Sequence, residues 1–196
     1  MNSTLKYYED NASSFIQNTL NKEMSIQYKS FEKYLKNKSH ILDAGCGSGR
    51  DSLYFKNKDY QVTSFDASKQ MCDFAKELIK QEVMELRFEE MCFNNKFDAI
   101  WASASLLHVP KAQISEVLQK FAMALKPKGV LYTSFKLGDQ EIIKEDRFFN
   151  SYTKEGFTKL IDNNPFTIEE MYILEDARPD KKDEFWLNVL LTVDKS

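Results

Sequence analysis

The sequence predicts a single α/β domain, and three observations lead to this prediction. Ile41 and Leu42 run into Asp43 and a loop with glycines at alternate positions, which is the pattern of a buried strand, a tight turn and a helix start. Asp66 ends a second apolar run about 20 residues later. Strand-like and helix-like segments then alternate through the 196-residue chain, a length that suits one domain with a full core.

The order of the elements is predicted from their apolar periodicity. Short apolar or alternating runs indicate strands, and apolar residues three or four apart indicate helices. After the strand that leads into Asp43, the predicted strands are 61–66, 83–88, 97–102, 130–135, 166–175 and 184–193. The predicted helices are 25–36, 50–57, 70–80, 112–126 and one that begins at Thr153.

Composition limits the classes of protein to consider. The net charge of −3 argues against a dedicated nucleic-acid binder, which usually carries a basic face. The chain shows no signal peptide and no apolar run long enough to span a membrane. Its three cysteines form no CxxC pair, so neither a disulfide scaffold nor a metal site is expected. A reducing cytoplasm is the predicted location.

The glycine loop narrows the choice of ligand. A dinucleotide fingerprint requires a third glycine where this chain has Arg50, and a P-loop requires a Lys-Ser/Thr pair that Arg50-Asp51 does not supply. Glycines still allow positive φ angles and let a ligand lie against bare backbone. The alternative is an ordinary strand-to-helix turn.

Asp66 favours a ligand over a simple turn. A carboxylate at the end of the second strand can accept both hydroxyl protons of a ribose diol. The alternative is a helix cap, since Asp66-Ala67-Ser68 is also a credible capping sequence. The spacing from the glycine loop makes the ribose role the stronger prediction.

The pattern hydrophobic-Asp-x-Gly-Cys-Gly-x-Gly closely resembles motif I of class I S-adenosylmethionine-dependent methyltransferases. Within this class the chain is most similar to the small bacterial tellurite-resistance-type branch. Four further segments carry that similarity: Gly49-Arg50-Asp51, the Trp101-to-Val109 run with Ser-Leu-Leu-His, Ser134-Phe135-Lys136-x-Gly138, and Arg147-x-Phe-x-x-Tyr152. The junction Leu125-Lys126-Pro127-x-Gly129 also resembles this class.

The resemblance implies a specific architecture. It is a Rossmann-like seven-stranded sheet of order 3-2-1-4-5-7-6, with the last strand antiparallel and helices on both faces. Residues 1–38 would form an N-terminal helical lid and residues 39–196 the core, together one domain over 1–196.

The resemblance also implies which residues contact S-adenosyl-L-methionine. They are Asp43, Ala44, Gly45, Cys46, Gly47, Arg50, Asp66, Ala67, Phe88, Glu89, Ala102 and Ser103, with Tyr8 and Phe15 from the lid. The chain departs from the family at the adenine site, where Arg87-Phe88 replaces an acidic-hydrophobic pair. Phe88 can still face the purine, whereas Glu89 either binds the adenine amino group or is simply solvated.

The candidate acceptor site lies after the fourth and fifth strands. His108 could act as a general base, or it could only hold its loop by hydrogen bonds. The predicted substrate-binding residues are Lys136, Arg147, Tyr152 and Arg178. Three cations from separate loops suggest an anionic acceptor. Alternatively, they pair with the nearby acids Asp146, Asp176 and Asp180.

The function implied by the resemblance is transfer of a methyl group from S-adenosylmethionine to a small-molecule acceptor by in-line displacement. Two alternatives stay open: a tRNA-modifying methyltransferase, and a non-catalytic protein that binds S-adenosylmethionine. No membrane partner and no metal are expected. The sequence leaves the oligomeric state undecided.

Overall fold

The computed structural model describes residues 3–176, 178, 181, 183–193 and 195. The helices are α1 (Ser3–Thr19), α2 (Ser25–Glu32), α3 (Arg50–Asn57), α4 (Lys69–Ile79), α5 (Lys111–Ala124) and α6 (Lys154–Ile161). The strands are β1 (His40–Ala44), β2 (Gln61–Asp66), β3 (Met84–Glu85), β4 (Phe97–Ala102), β5 (Leu125–Leu137), β6 (Glu141–Lys144), β7 (Arg147–Tyr152), β8 (Phe166–Glu175) and β9 (Phe185–Val193).

The central sheet keeps the predicted order of the seven expected strands but differs in detail, because two strands that were not predicted, β6 and β7, join it. β3, β2, β1, β4 and β5 are parallel neighbours, β9 pairs antiparallel with β5, and β8 pairs with β9. Numbered by the seven predicted strands, β8 and β9 are the sixth and seventh, so the order is 3-2-1-4-5-7-6 with the last strand antiparallel. The predicted Rossmann-like α/β class is confirmed.

The hairpin β6–β7 was not predicted. Lys136 of β5 is paired with Ser151 of β7 on one side and with Trp186 of β9 on the other. β4 and β9 pair with opposite edges of β5. β7 pairs with the same edge as β4, beyond the point where β4 ends. The hairpin therefore stands beside the loop that follows β4.

Other segments also differ from prediction, beginning with the helix expected over 25–36, which ends at Glu32. The strand expected over 83–88 is only Met84–Glu85, and a short 3-10 turn, Phe88–Glu90, follows it. The helix expected over 112–126 ends at Ala124, because Leu125 already pairs with Phe97 at the start of β5. Residues that helical periodicity assigned to α5 therefore belong to the strand β5 that pairs with β4.

Apolar side chains cover both faces of the sheet. One cluster joins α5, α6 and the Phe135 side of β5, and the other places Phe31 of α2 and Phe55 of α3 against Trp101. All four aromatic side chains are fully buried. Among the described residues, no helix has the length and hydrophobicity needed to cross a bilayer.

Candidate active site

A cleft of about 980 Å³ opens at the carboxyl ends of the parallel strands. This is where open α/β sheets bind ligands. One part of the wall, the glycine-loop half, consists of cleft residues that follow β1, β2 and β3. The other, the β5 half, consists of cleft residues from β5, the β6–β7 hairpin, the end of β8, the described part of the β8–β9 connection and the start of β9. The loop after β4 lies between the two halves, and α1 contributes residues to the cleft wall.

The glycine loop is fixed by backbone geometry. Gly45 and Cys46 both donate their N–H groups to the Phe65 carbonyl at 2.9 Å, which ties the loop to β2. Gly45, Gly47 and Gly49 have φ angles of 77°, 53° and 80°, in the region that favours glycine. Space above Gly47 is open, because among the described residues beyond its chain neighbours the atom nearest to an added Cβ would be Phe15 Cε1, at 3.9 Å. A ligand can therefore lie against the loop backbone.

Asp66 faces the same cleft and holds the loop from β2. One carboxylate oxygen accepts from Gly47 N at 2.8 Å and the other accepts from Ser68 N at 2.9 Å. Burial raises the pKa of Asp66, although these two N–H groups oppose the shift. The helix cap is Ser68, whose hydroxyl accepts from Met71 N at 3.2 Å. The alternative role of Asp66 as the cap itself is thus excluded.

Three predicted cofactor contacts do not line the cleft. Ala44 and Ala102 are fully buried within the sheet, and Asp43 lies behind the glycine loop with 2% of its surface exposed. The Ser52 hydroxyl donates to Asp43 at 2.5 Å and shares a 2.8 Å bond with Ser64. A strand's last residues point into the layers above and below the sheet, so these side chains support the loop and only its backbone reaches the cleft.

Burial gives Asp43 a pH-dependent effect on stability. Desolvation, reinforced by nearby Asp51, raises the pKa of Asp43 to about 8. In the unfolded chain the same carboxyl ionises near pH 4. Between these values folding takes up a proton, so the free energy of unfolding falls as pH rises, by up to about 1.4 kcal/mol per pH unit.

We expect Asp43→Asn to remove this slope. Asparagine keeps an oxygen for the Ser52 hydroxyl but cannot ionise. Urea denaturation of wild type and variant between about pH 6.5 and pH 8 avoids most of the histidine titration of the unfolded chain. The stability difference should shift in favour of the variant as pH rises. Parallel curves for the two proteins would contradict the raised pKa.

Arg50 lines the cleft, but its guanidinium forms hydrogen bonds within a buried network of protein groups. It donates to Asp51 through Nε at 2.6 Å and Nη2 at 2.9 Å, and to the Thr19 carbonyl through Nη1 at 3.1 Å. Asp51 also accepts from Tyr28 and from Trp101 Nε1. Sequence reasoning did not find the role of Asp51, although it noted the Gly-Arg-Asp segment.

The remaining predicted residues of the glycine-loop half do line the cleft. They are Cys46, Ala67, Phe88, Glu89 and, from the loop after β4, Ser103. Phe88 packs edge-on against Phe65 and Phe121, which fixes its ring beside Gly45. Glu89 is exposed, and its carboxylate lies 3.8 Å from Arg87 Nη1. In this structure Glu89 is therefore simply solvated, which was one of the two alternatives.

α1 is fastened across the cleft by contacts at both sides. Thr4 Oγ1 accepts from Phe148 N of β7 at 2.9 Å, and the Glu9 carboxylate accepts from Gln70 N of α4 at 3.4 Å. Tyr8 packs edge-on against Phe15, and both rings line the cleft. The helix thus bridges the hairpin and α4 above the glycine loop.

His108 has a defined tautomer. Its Nδ1 lies 2.6 Å from the Phe148 carbonyl, which can only accept, so Nδ1 carries the proton. Nε2 therefore accepts from the Tyr8 hydroxyl at 2.8 Å. Burial, reinforced by Arg147 and Lys136 and opposed by the Phe148 carbonyl, lowers the pKa of His108 to about 4. Only about one imidazole in a thousand is protonated at pH 7.

Arg147 lies beside this pair. Its guanidinium is 4.3 Å from the Tyr7 ring centroid, and Nη2 donates to Glu145 at 2.6 Å. Arg147 also interacts with the Tyr8 hydroxyl. Its Nε–H is buried and has no partner among the described residues. An unpaired buried donor costs about 1–3 kcal/mol, which a bound acceptor atom would recover.

The other predicted acceptor residues differ in their placement. Lys136 lines the cleft, donates to Glu184 at 2.6 Å and lies over the Phe149 ring. Arg178 also lines the cleft and forms a bidentate pair with Asp176, which agrees with the alternative that the cations pair with nearby acids. Asp180 lies outside the described residues. Arg147 is bonded to Glu145 rather than to Asp146.

Tyr152 is not part of the cleft wall. Its ring is buried between Phe135 and Phe157, with Lys111 above it, and its hydroxyl accepts from Asn150 at 3.4 Å. The structure therefore places Tyr152 in the core and not among the residues that line the cleft. The cause is the unpredicted β7, whose alternation directs Tyr152 into the core.

Neither a cluster of metal ligands nor a disulfide is present among the described residues. Within the described ranges, no three His, Cys, Asp or Glu side chains are grouped as ligands for a metal ion. Cys46, Cys72 and Cys92 are all free thiols, and the first two are buried. Burial raises the pKa of Cys46, so the thiol beside the loop is a poor nucleophile.

Comparison with known proteins finds similarity to methyltransferases over part of the chain. Residues 41–129 match the family model described as a methyltransferase domain. The chain is 30% identical over 122 residues to YqeM of Bacillus subtilis, a match that covers 57% of this chain and 49% of that protein. It is 29% identical over 140 residues to a ubiquinone biosynthesis O-methyltransferase of Coxiella burnetii, covering 66% and 58%. The chain thus spans about half of each relative.

A solved structure extends the likeness over nearly the whole chain. The 1,6-didemethyltoxoflavin-N1-methyltransferase of Burkholderia thailandensis, solved with its substrate and S-adenosylhomocysteine, superposes with a TM-score of 0.81. The match covers 97% of this chain and 85% of that one at 18% identity. At that identity it supports the shared fold, including α1 and the closing strands. The tellurite-resistance-type branch stays a prediction.

Proposed function

We propose that this chain is a class I S-adenosylmethionine-dependent methyltransferase, as its domain match and its fold support, and that it transfers the cofactor's methyl group to a small-molecule acceptor. The observation that carries the proposal is the joint placement of the glycine loop and Asp66. Both face one cleft, and Asp66 fixes the loop through Gly47 N at 2.8 Å.

The residues of the glycine-loop half fit the cofactor. The open space above Gly47 accommodates a chain laid along bare backbone, and Asp66 keeps free lone pairs for two ribose hydroxyls. Phe88 offers an apolar face for a purine beside Gly45. Cys46, Arg50, Ala67, Glu89 and Ser103 complete the proposed cofactor site. When bound there, S-adenosylmethionine supplies a methyl electrophile on a cationic sulfonium.

The β5 half is the proposed acceptor site, and its charges favour an anion. Among the described residues it presents Lys136, Lys144, Arg147, Arg178 and Lys181 against Glu145, Glu175 and Glu184. Five cations face three anions in a chain whose net charge is −3. The protein's task there is to orient the acceptor in line with the methyl group and to exclude water.

The N-terminal helix is the proposed lid. Residues 1–38 would form the lid and residues 39–196 the core of a single domain. Tyr8 and Phe15 line the cleft from α1, and Tyr8 reaches His108 across it. Such a helix must move aside for the ligands to enter, and its return would close the site against water.

Calorimetric titration with S-adenosylmethionine, S-adenosylhomocysteine and NAD tests the proposed function. We expect wild type to bind the first two at micromolar concentrations and to show no heat with NAD. Asp66→Ala should lose about 100-fold in affinity, because two charge-assisted hydrogen bonds disappear. Absence of binding of either sulfur compound by wild type would refute the proposal.

Two further variants identify the reason for the loss. Asp66→Asn keeps an oxygen for Gly47 N–H but lacks the charge, so a loss that remains in this variant reports on the ribose contact and not on the loop. Asp73→Ala is the matched control, since Asp73 is an exposed α4 carboxylate that pairs with Lys69 at 3.1 Å. It should bind as wild type does.

A further inference from the structure

We infer that the acceptor is a carboxylic acid and that one of its carboxylate oxygens takes the methyl group. This inference rests on the proposed function and names the chemistry of its acceptor. His108 is held through both of its ring nitrogens. Nε2, the basic nitrogen, already accepts from Tyr8, and the ring lies close to two cations, Arg147 and Lys136. A second positive charge on the imidazole is disfavoured there.

Among the described residues, the groups packed around His108 include no acid that could stabilise an imidazolium. α1 supplies Tyr8, β7 supplies Arg147, the Phe149 ring and the Phe148 carbonyl, and β5 supplies Lys136. None of these carries a negative charge. The neutral histidine is therefore suited to position the Tyr8 hydroxyl, and it is poorly suited to take a proton from an acceptor.

Other bases on the described cleft wall are also engaged or exposed. Seven carboxylates line it, and four of them are bonded to protein groups: Asp51, Asp66, Glu145 and Glu184. The other three, Glu89, Glu116 and Glu175, are exposed and lie on elements other than those that hold His108. An acceptor that must lose a proton before it attacks thus finds no placed general base.

The donors near His108 suit a nucleophile that arrives ionised. Arg147 has a buried Nε–H without a partner among the described residues, and it lies beside the Tyr8 hydroxyl. A guanidinium binds a planar carboxylate through paired hydrogen bonds, and Lys136 adds positive charge on the adjacent strand. One carboxylate oxygen bound by Arg147 would leave the other free to attack.

The transfer then balances without a proton. The acceptor oxygen forms a bond to the methyl carbon, the carbon–sulfur bond breaks, and its electron pair stays on sulfur. The negative carboxylate and the positive sulfonium both become neutral, giving a methyl ester and S-adenosylhomocysteine. Methylation of a hydroxyl or an amine would instead release one proton per turnover, which requires an acceptor for it.

The test uses S-adenosyl-[methyl-³H]methionine and a deproteinised low-molecular-mass bacterial extract as the probe. Methyl esters release volatile methanol under mild alkali, whereas methyl ethers and methylamines do not. We expect label in the extract that becomes volatile on alkaline treatment. Label that resists alkali would overturn the inference.

Variants test whether the labelling rate depends on the proposed acceptor site. Arg147→Lys keeps the charge but loses the Nε–H, and we expect the labelling rate to fall about tenfold or more. Lys154→Arg, a conservative exchange at an exposed α6 residue that does not line the cleft, is the control and should label as wild type does. His108→Asn should stay within about tenfold of wild type with an unchanged pH profile, since no proton is transferred. A loss of about a thousandfold in His108→Asn would identify a general base and overturn the inference.

Failure of this inference can be told from failure of the proposed function. If wild type binds S-adenosylhomocysteine in the calorimeter but labels nothing in the extract, the carboxylate acceptor is refuted and cofactor binding stands. If S-adenosylhomocysteine does not bind, the proposed function itself fails.

Discussion

Gly45→Ala should abolish cofactor binding and strongly destabilise the protein. An added Cβ would lie 2.6 Å from Ser105 Cβ and 3.2 Å from Ser105 Oγ, and Gly45 has a φ angle of 77°. Ser105 cannot simply move, because its buried hydroxyl donates to the Ala44 carbonyl at 2.7 Å. Overlap and left-handed backbone strain together should cost about 2–4 kcal/mol of unfolding free energy.

Gly47→Ala is the matched comparison for this prediction. Gly47 has a similar positive φ of 53°, but an added Cβ there would lie 3.9 Å from Phe15 Cε1, an ordinary van der Waals contact. This variant should lose only about 1 kcal/mol from backbone strain and yet bind cofactor weakly, because the new methyl group occupies the space above the loop. Urea denaturation and titration with S-adenosylhomocysteine measure both effects. Equal stability of the two variants would contradict the steric argument.

The parts of the fold that the sequence predicted are those with local signals. Arg50–Asn57, Gln61–Asp66, Phe97–Ala102 and Phe166–Glu175 have the predicted bounds, because each begins and ends at a clear change in apolar period. The hairpin has no such signal. Its two turn residues, Glu145 and Asp146, have φ angles of 51° and 59°, a conformation that glycine or asparagine usually marks.

The site residues also divide into those that have a local sequence signal and those that have none. Gly45, Gly47 and Asp66 were found because their spacing alone carries the information. The pairing of Tyr8 with His108 joins residues 100 positions apart, and only the packing of α1 on β7 brings them together. Tyr152 was assigned to the wrong environment for a related reason, since a residue's side of a strand cannot be read before the strand itself is recognised.

Asp51→Ala is the substitution outside the glycine loop from which we expect the largest loss of stability. The carboxylate is buried and accepts from Arg50, from the Tyr28 hydroxyl at 2.5 Å and from Trp101 Nε1 at 2.7 Å. Its removal leaves a largely buried guanidinium without its charge partner and two buried donors unsatisfied. Breaking such a pair costs about 3–5 kcal/mol, measured as the free energy of unfolding in urea.

Two controls separate the ion pair from the neutral hydrogen bonds. Tyr28→Phe removes one donor and leaves the Arg50–Asp51 pair intact, so it should cost only about 1–2 kcal/mol. The double variant Arg50→Met, Asp51→Ala removes both charges and should be more stable than Asp51→Ala alone, because no charge is then left buried without a partner. If Asp51→Ala were as stable as Tyr28→Phe, Asp51 would act only as a hydrogen-bond acceptor. The larger loss would show that the charge of Asp51 contributes stability beyond the hydrogen bonds that join α3 to Tyr28 of α2 and to Trp101 of β4.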